Sequence, residues 1–306
     1  MNQPSKDIDR GASADGQPSY EELRDIAFRI AVEAAALIRR ERAEIGDLQA
    51  VTETKSSAVD PVTQVDKHSE EFITGGIARL RPEDGILGEE GSNKESTSGY
   101  TWVIDPIDGT VNFIYGIPQF AVSIACAKGA DIVAGVVINV STEMAYLAAK
   151  GSGAYKVLAL IDEDGIPVED AATRQKLSCS GATTVGESLL ATGFAYLASR
   201  RKQQAELLTT VLPQVRDIRR MGSAALDLCA LAEGTVDCYY EHGIHPWDYA
   251  AGAVIASEAG ARVHYPGLDV PGANGNPVWG AASGVEQQFH HMLERAGGLE
   301  SMPQSD

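Results

Sequence analysis

Tyr100-Thr101-Trp102-Val103-Ile104-Asp105-Pro106-Ile107-Asp108-Gly109-Thr110 is the stretch on which the reading of this chain turns. Its first five residues are aromatic or β-branched, which is the composition of a strand. Two carboxylates three residues apart then sit on a turn at the strand's end, and a Gly-Thr pair with free backbone N–H groups follows. Asp-Pro and Asp-Gly are also ordinary turn dipeptides, so the segment alone would be unremarked. Its company changes that reading: Gly88-Glu89-Glu90 lies upstream and Trp247-Asp248 far downstream. Four carboxylates converging on one site cannot all stay ionised without a compensating cation. Hard divalent ions prefer such oxygen ligands, and Mg2+ uses a few carboxylates together with water and phosphate oxygens. The arrangement therefore reads as a phosphoryl site.

Outward from this stretch, residues 1–18 read as a disordered tail rich in Ser, Asp, Gly and Pro. Ser19-x-x-Glu22 is a capping box, and Leu23, Ile26, Ala27, Ile30, Ala34, Leu37 and Ile38 continue a helical period to about Arg42. Lys55–Asp66 is turn-rich, and a second helix is expected from near Ser69 to before Pro82, weakened by Gly75-Gly76. Strands are expected at Gly85–Gly88, Tyr100–Asp105, Ala121–Ala127, Ile132–Val140 and Glu143–Ala148, joined by short turns as an antiparallel meander. From about residue 171 strands and helices alternate, which argues for an α/β half. Strands are read at Leu189–Thr192, Arg216–Arg220, Val236–Tyr240 and Ala261–His264. Helices are read at Lys202–Leu212, Ser223–Ala232, Trp247–Ala259 and Val285–Ala296. The expected organisation is thus a tail at 1–18, an α+β half at 19–170 with most of the carboxylates, and an α/β half at 171–306 with Asp248, the join lying in 162–176.

The 306 residues, 44% hydrophobic and 22% charged, suit one large core or two stacked domains. A net charge of -18 repels nucleic acid and anionic membranes, so neither is an expected partner. It also repels a small phosphate ester unless bound cations reverse the sign locally. The four cysteines show no metal-type spacing, and Cys126 and Cys229 sit in apolar runs as small buried hydrophobes. Residues 1–20 carry no apolar stretch of the signal-peptide kind, and no run approaches the roughly 20 apolar residues that span a bilayer. A cytoplasmic protein is the expectation.

Glu89 follows a strand and a glycine, where a side chain reaches an open cleft, while Glu90 points elsewhere if the chain is extended. Asp105 is placed to bridge two cations and Asp108 to bind one of them, with the Ile107 carbonyl as a further oxygen ligand. Gly109 and Thr110 open a short helix whose N–H groups suit phosphate, and the Thr110 hydroxyl is placed to orient a water. Asp248 opens a helix after Pro246-Trp247; its plainer reading is a carboxylate at a helix N-terminus. Glu241 ends a strand before His242-Gly243-Ile244-His245. The two histidines read as rim residues, because a hard oxygen site has little need of imidazole.

These residues resemble the inositol monophosphatase family of Mg2+-dependent, lithium-sensitive phosphatases, in its bacterial inositol-1-monophosphatase form. The resemblance covers roughly residues 22–297. It rests on Gly88-Glu89-Glu90, on Asp105-Pro106-Ile107-Asp108-Gly109-Thr110-Val111-Asn112-Phe113 and on Trp247-Asp248-Tyr249-Ala250-Ala251-Gly252 in that order. Residues Lys55 to Asp66 and Arg219-Arg220-Met221-Gly222-Ser223-Ala224-Ala225-Leu226-Asp227 are similar to two further family segments. The resemblance implies a layered αβαβα sandwich and a homodimer. It also implies two to three Mg2+ ions: Glu89, Asp105 and the Ile107 carbonyl holding the first, Asp105, Asp108 and Asp248 the second, and Glu89 a weaker third. Asp66 and Thr110 would activate water for in-line attack on phosphorus, without a phosphoenzyme, and Glu89 is part of that catalytic group through its metal. Gly109 and Thr110, with Asp108, would hold the phosphate. Glu241 and the Gly222-Ser223-Ala224 backbone, with Arg219 as helper, would hold inositol hydroxyls. The implied activity is hydrolysis of myo-inositol 1-phosphate. Rival substrates are fructose 1,6-bisphosphate, histidinol phosphate and 3′-phosphoadenosine nucleotides, and a rival of another class is a regulatory binding protein.

Overall fold

The computed structural model describes residues 17–45 and 61–303. The expected tail, apart from Gln17 and Pro18, and the segment from Lys55 to Asp60 lie outside the described residues. Helix α1 (Tyr20–Ile45) opens on the capping box read from the sequence. Ser19 Oγ accepts the Glu22 N–H at 3.2 Å and Glu22 Oε2 accepts the Ser19 N–H at 2.6 Å. Helix α2 (Pro61–Leu80) begins eight residues before the expected Ser69. Its Gly75-Gly76 pair does not break it, because Gly76 packs on α1: a Cβ there would lie 3.2 Å from Ile30 Cδ1.

A nine-stranded sheet follows. Strand β1 (Gly85–Gly88) pairs in parallel with β3 (Tyr100–Asp108) and antiparallel with the short β2 (Asn93–Lys94). From β3 the expected antiparallel meander runs through β4 (Ala121–Lys128), β5 (Asp131–Asn139), β6 (Met144–Ala149) and β7 (Ala154–Ile161). Strands β8 (Pro167–Glu169) and β9 (Gln175–Lys176) both pair with β7, so this sheet extends through the polar segment 162–176. Between β3 and β4 the short helix α3 spans Thr110–Tyr115.

The second sheet has five strands in the order β11-β10-β12-β14-β13. They are β10 (Leu189–Thr192), β11 (Asp217–Arg219), β12 (Cys238–His242), β13 (Ala261–His264) and β14 (Pro277–Ala282). The first three run parallel, and β14 returns antiparallel between β12 and β13. The four helices of this half are α4 (Ala198–Val211), α5 (Ala224–Glu233), α6 (Pro246–Glu258) and α7 (Glu286–Ala296). Strands β2, β7, β8, β9 and β14 were not expected from the sequence.

The layers follow from which faces are apolar. Helices α1 and α2 bury one stripe each on the outer face of the large sheet, where Leu23, Ile30 and Ile38 meet Trp102, Ile124 and Val136. Helices α5 and α6 are apolar on nearly every side, as a helix buried between two sheets must be. Their Leu228, Leu231, Tyr249 and Ile255 share one core with Val103, Ala125 and Val137 of the large sheet and Tyr239 and Val278 of the small one. Helices α4 and α7 cover the far face of the small sheet through Leu207, Phe289 and Leu293. The result is the αβαβα sandwich. Among the described residues no helix is long and apolar enough to cross a membrane.

Candidate active site

The site sits where the C-terminal ends of β1, β3 and β12 meet the N-terminal ends of α5 and α6. This is the edge of an α/β layer where ligands generally bind. In an unbroken strand, residues three apart face opposite sides, so Asp105 and Asp108 would diverge. They do not, because the β3–β4 register shifts between them: Asp105 lies opposite Ser123 but Asp108 lies opposite Ala121. The extra residue of this bulge restores the parity and turns both carboxylates the same way. Pro106, which donates no ladder hydrogen bond, is tolerated at such a place.

Each aspartate is locked by one oxygen. Asp105 Oδ1 accepts the Ile107 N–H at 2.9 Å. Asp108 Oδ2 accepts from the Ser223 hydroxyl at 2.5 Å and the Ala225 N–H at 2.8 Å, which ties β3 to the start of α5. Asp248 Oδ2 accepts the His245 N–H at 2.6 Å in a capping box that opens α6. So fixed, Asp105, Asp108 and Asp248 each present an oxygen within 4.8 Å of the others. Glu89 enters from the end of β1, its N–H bonded to Ile104 O at 3.2 Å. The turn that carries Glu89 is held from below by Glu70 of α2, whose carboxylate accepts the N–H groups of Glu90 and Ser92 at 2.8 and 2.9 Å.

A cleft of about 420 Å3 opens over these groups. Ile107, Gly109, Thr110, Gly222, Ala224 and Glu241 line it together with the four carboxylates. Gly109 has φ +94°, and a Cβ there would fall 2.9 Å from Gln119 O and 3.1 Å from Gly222 O, so only glycine fits between the halves. Thr110 Oγ1 donates to Ile107 O at 3.1 Å. On the far wall Glu241 accepts the Tyr239 hydroxyl at 3.1 Å and rests against Gly193, where a Cβ would overlap its carboxylate.

The electrostatics are those of buried carboxylates crowded together. Burial first, then the charges of Asp108, Glu90 and Glu70, push Glu89 up to about 7. Burial raises Asp108 to about 6 although the Ser223 hydroxyl and two backbone N–H groups favour its ionised form. Asp105 and Asp248 are held well above the usual carboxylate range, by burial and then by the neighbouring carboxylates. Burial also brings Glu241 up to about 7. A cluster of three or four hard oxygen donors that are costly to ionise alone fits a divalent cation, which restores their ionised forms.

The remaining candidates fall at different depths. Asp66, in the second turn of α2, is 6% exposed, and Ser223 is 1% exposed; neither is part of the cleft lining among the described residues. Arg219 is not brought to the site: its guanidinium pairs with Asp217 at 2.8 Å on the surface. Its neighbour Arg220 lines the cleft instead, and its charge acts on Glu241 and Asp227. Arg200 also reaches the lining, but it donates to the carbonyls of Met302, Ala273 and Gly243. Both histidines line the cleft, but His242 ends β12 buried rather than at the rim, where burial pushes it down to about 4, while His245 stacks on Trp247 with centroids 4.6 Å apart. Sequence reasoning missed Glu70, Arg220 and the exposed Tyr196 at the mouth. Arg220 stood inside the quoted Arg219–Asp227 segment, the one signal that could have found it.

Comparison with known proteins decides the family, since the sequence matches the inositol monophosphatase family over residues 19–295. The chain belongs to that family. It is therefore a phosphatase by family. It is 46% identical over 302 residues to the inositol-1-monophosphatase SuhB of Mycobacterium tuberculosis, covering 94% of this chain and 98% of that protein. The solved structure of Mycobacterium tuberculosis SuhB superposes with a TM-score of 0.76 at 45% identity, over 93% of this chain and all of the other. A more distant relative, the Nus factor SuhB of Pseudomonas aeruginosa, is 34% identical over 247 residues, or 79% of this chain and 84% of that protein.

Proposed function

We propose that this phosphatase hydrolyses myo-inositol 1-phosphate to myo-inositol and phosphate with the help of Mg2+. The observation that carries this reading is the convergence of Asp105, Asp108 and Asp248 within 4.8 Å beneath a cleft whose far wall presents Glu241. Glu89, Asp105, Asp108, Asp248 and the Ile107 carbonyl are the groups that would hold two to three Mg2+ ions. Bound there, the metal supplies charge for the phosphate oxygens and lowers the pKa of water. The chain's own residues do the positioning, which is most of what phosphoryl transfer asks of a protein.

The N–H groups of Gly109 and Thr110 face the phosphate, and Asp66 with the Thr110 hydroxyl receives the proton of the attacking water. Glu241 and the backbone at Gly222-Ser223-Ala224 accept and donate to ring hydroxyls. A polyol suits this wall because a carboxylate accepting hydroxyl donors gains about 1.5–3 kcal/mol per charge-assisted bond. The net charge of -18 weighs against nucleic acid or an anionic membrane as a partner. A cytoplasmic homodimer is part of the same proposal, supported by the family resemblance and checked by light scattering of the purified protein.

The test strips the protein with chelator, restores Mg2+, and compares phosphate release from myo-inositol 1-phosphate, fructose 1,6-bisphosphate, histidinol phosphate and a 3′-phosphoadenosine nucleotide. Inositol phosphate is expected to be turned over fastest, and hydrolysis in excess chelator would sink the metal reading. Glu241→Gln keeps shape but weakens hydrogen bonds to the ring, so kcat/KM for inositol phosphate should fall roughly ten- to thirtyfold. Glycerol 2-phosphate, which does not extend to Glu241, should lose much less. Equal losses on both esters would place Glu241 on the metal or the fold.

A further inference from the structure

On the far side of the small sheet lies a second cluster of ligating side chains. Helix α7 buries Phe289, Met292 and Leu293 and turns Glu286, His290, His291 and Glu294 outward. Glu294 is four residues from His290 and three from His291, the two spacings that bring helical side chains onto one patch. His290, His291 and Glu294 each offer one ligand atom, all within 4.8 Å of one another. Beneath them is a concavity of about 480 Å3, floored by Trp279 of β14 and edged by His264 of β13.

The patch is more ordered than a solvated helix face requires. The Trp279 indole, only 5% exposed, stacks on the His264 ring with centroids 3.9 Å apart and planes 11° apart. The His290 ring lies 5.4 Å from the indole, and Phe289 packs edge-on at 6.1 Å. His264 Nε2 in turn lies 3.3 Å from Glu286 Oε1. One of the three candidate ligands is thus held against a fixed aromatic wall, while His291 and Glu294 are exposed and free to close on an ion.

We propose that His290, His291 and Glu294 form a second cation site, selective for a borderline divalent transition metal of the Zn2+, Ni2+ or Cu2+ type. The donor set makes the distinction: two imidazole nitrogens and one carboxylate suit such ions, whereas Mg2+ has little affinity for imidazole. The carboxylate cleft has the opposite character, with oxygen donors alone. Around zinc, neighbouring ligand atoms lie roughly 3.4 Å apart, given metal–ligand distances of about 2.0–2.1 Å. The three atoms therefore need to close by little more than an ångström, which rotation of exposed side chains provides. Water takes the fourth position.

The experiment uses the full chain with the cleft saturated by Mg2+, and titrates ZnCl2 and NiCl2 calorimetrically. One equivalent of Zn2+ per chain is expected, and the His290→Ala/His291→Ala double variant should bind it at least about tenfold more weakly. Because Trp279 touches His290, added Ni2+ should quench tryptophan emission in the wild-type protein and not in the double variant or in Trp279→Phe. Hydrolysis of inositol phosphate in Mg2+ should be unchanged in the double variant, which also shows that it folds. Glu294→Gln, a milder change on the same turn, should weaken Zn2+ binding without affecting hydrolysis. Absence of a Zn2+ equivalent under Mg2+ saturation, or equal binding and quenching in the double variant, overturns the proposal.

Discussion

Replacing Asp105 by Asn separates the cost of the carboxylate cluster from its use. Asp105 is 1% exposed, and the Ile107 N–H that its Oδ1 accepts at 2.9 Å can be accepted equally by an amide oxygen. What Asn removes is a charge that the metal-free fold disfavours. Burial and then three neighbouring carboxylates all disfavour the ionised form of Asp105. The sign follows: a raised folded-state pKa gives stability that is whole below the unfolded pKa, near 3.8, and is lost as pH rises toward the folded value. The variant should therefore match the wild type near pH 4 and melt above it at pH 7 in chelator. Magnesium works against this difference, because a ligand at a hundred times its Kd adds about 2.7 kcal/mol, or roughly 5 °C, to the wild type and little to the variant. Phosphate release should drop at least about a thousandfold, as when a principal electrostatic stabiliser is lost. Scanning calorimetry in chelator and in Mg2+ at both pH values, with a steady-state assay, reads all of this. A variant that melts several degrees lower in chelator at pH 7, or keeps its Mg2+ increment, would refute the reasoning.

The cleft cation can be told from its neighbour: Arg220→Ala should raise KM for the phosphate ester by roughly tenfold or more, the loss of one charge-assisted bond, whereas Arg219→Ala, exposed and paired with Asp217, should leave kinetics alone. The reverse ranking in a steady-state comparison would show that the resemblance named the right arginine. Asp227, 1% exposed on the first turn of α5, is held well above the carboxylate range by burial and then by Glu241 and Asp108. By the same sign rule it destabilises the fold progressively above the unfolded pKa, so Asp227→Asn should melt higher at pH 8 and no higher at pH 4, and a drop in Tm at pH 8 would show that its charge is needed. Because Glu89 titrates near 7 and Asp108 near 6 without a cation, protons compete with metal, and the Mg2+ concentration for half-maximal rate should climb as pH falls from 8 to 5.5. An unchanged midpoint would mean that these two carboxylates do not bind the metal.

What was legible in the sequence was chemistry, and what was hidden was parity and pairing. Carboxylate type and order marked Glu89, Asp105, Asp108 and Asp248 before any fold was known, because a hard cation constrains residue identity directly. That Asp105 and Asp108 face the same way depends on a bulge, and the bulge exists only through the register with Ser123 and Ala121. Strand β14 went unseen because Pro277, Gly280 and two alanines are poor strand formers; pairing with β12 on one side and β13 on the other makes it a strand. Helix α2 was cut short at its start because Pro61, inside the stretch Lys55–Asp66, reads as a turn residue, although proline is well tolerated at the first position of a helix. The arginines show the same limit at the site itself. Arg219 and Arg220 are adjacent and equally charged, the first ending β11 and the second following it, so nothing in the sequence distinguishes them. Successive side chains of a strand point to opposite faces, and one step of register exchanges their roles. The pairing of Arg219 opposite Ala191 settles the matter, leaving Arg219 with Asp217 at the surface and Arg220 over the cleft. A residue's chemistry can thus be read one position at a time, but the face it serves is a property of the neighbouring strand.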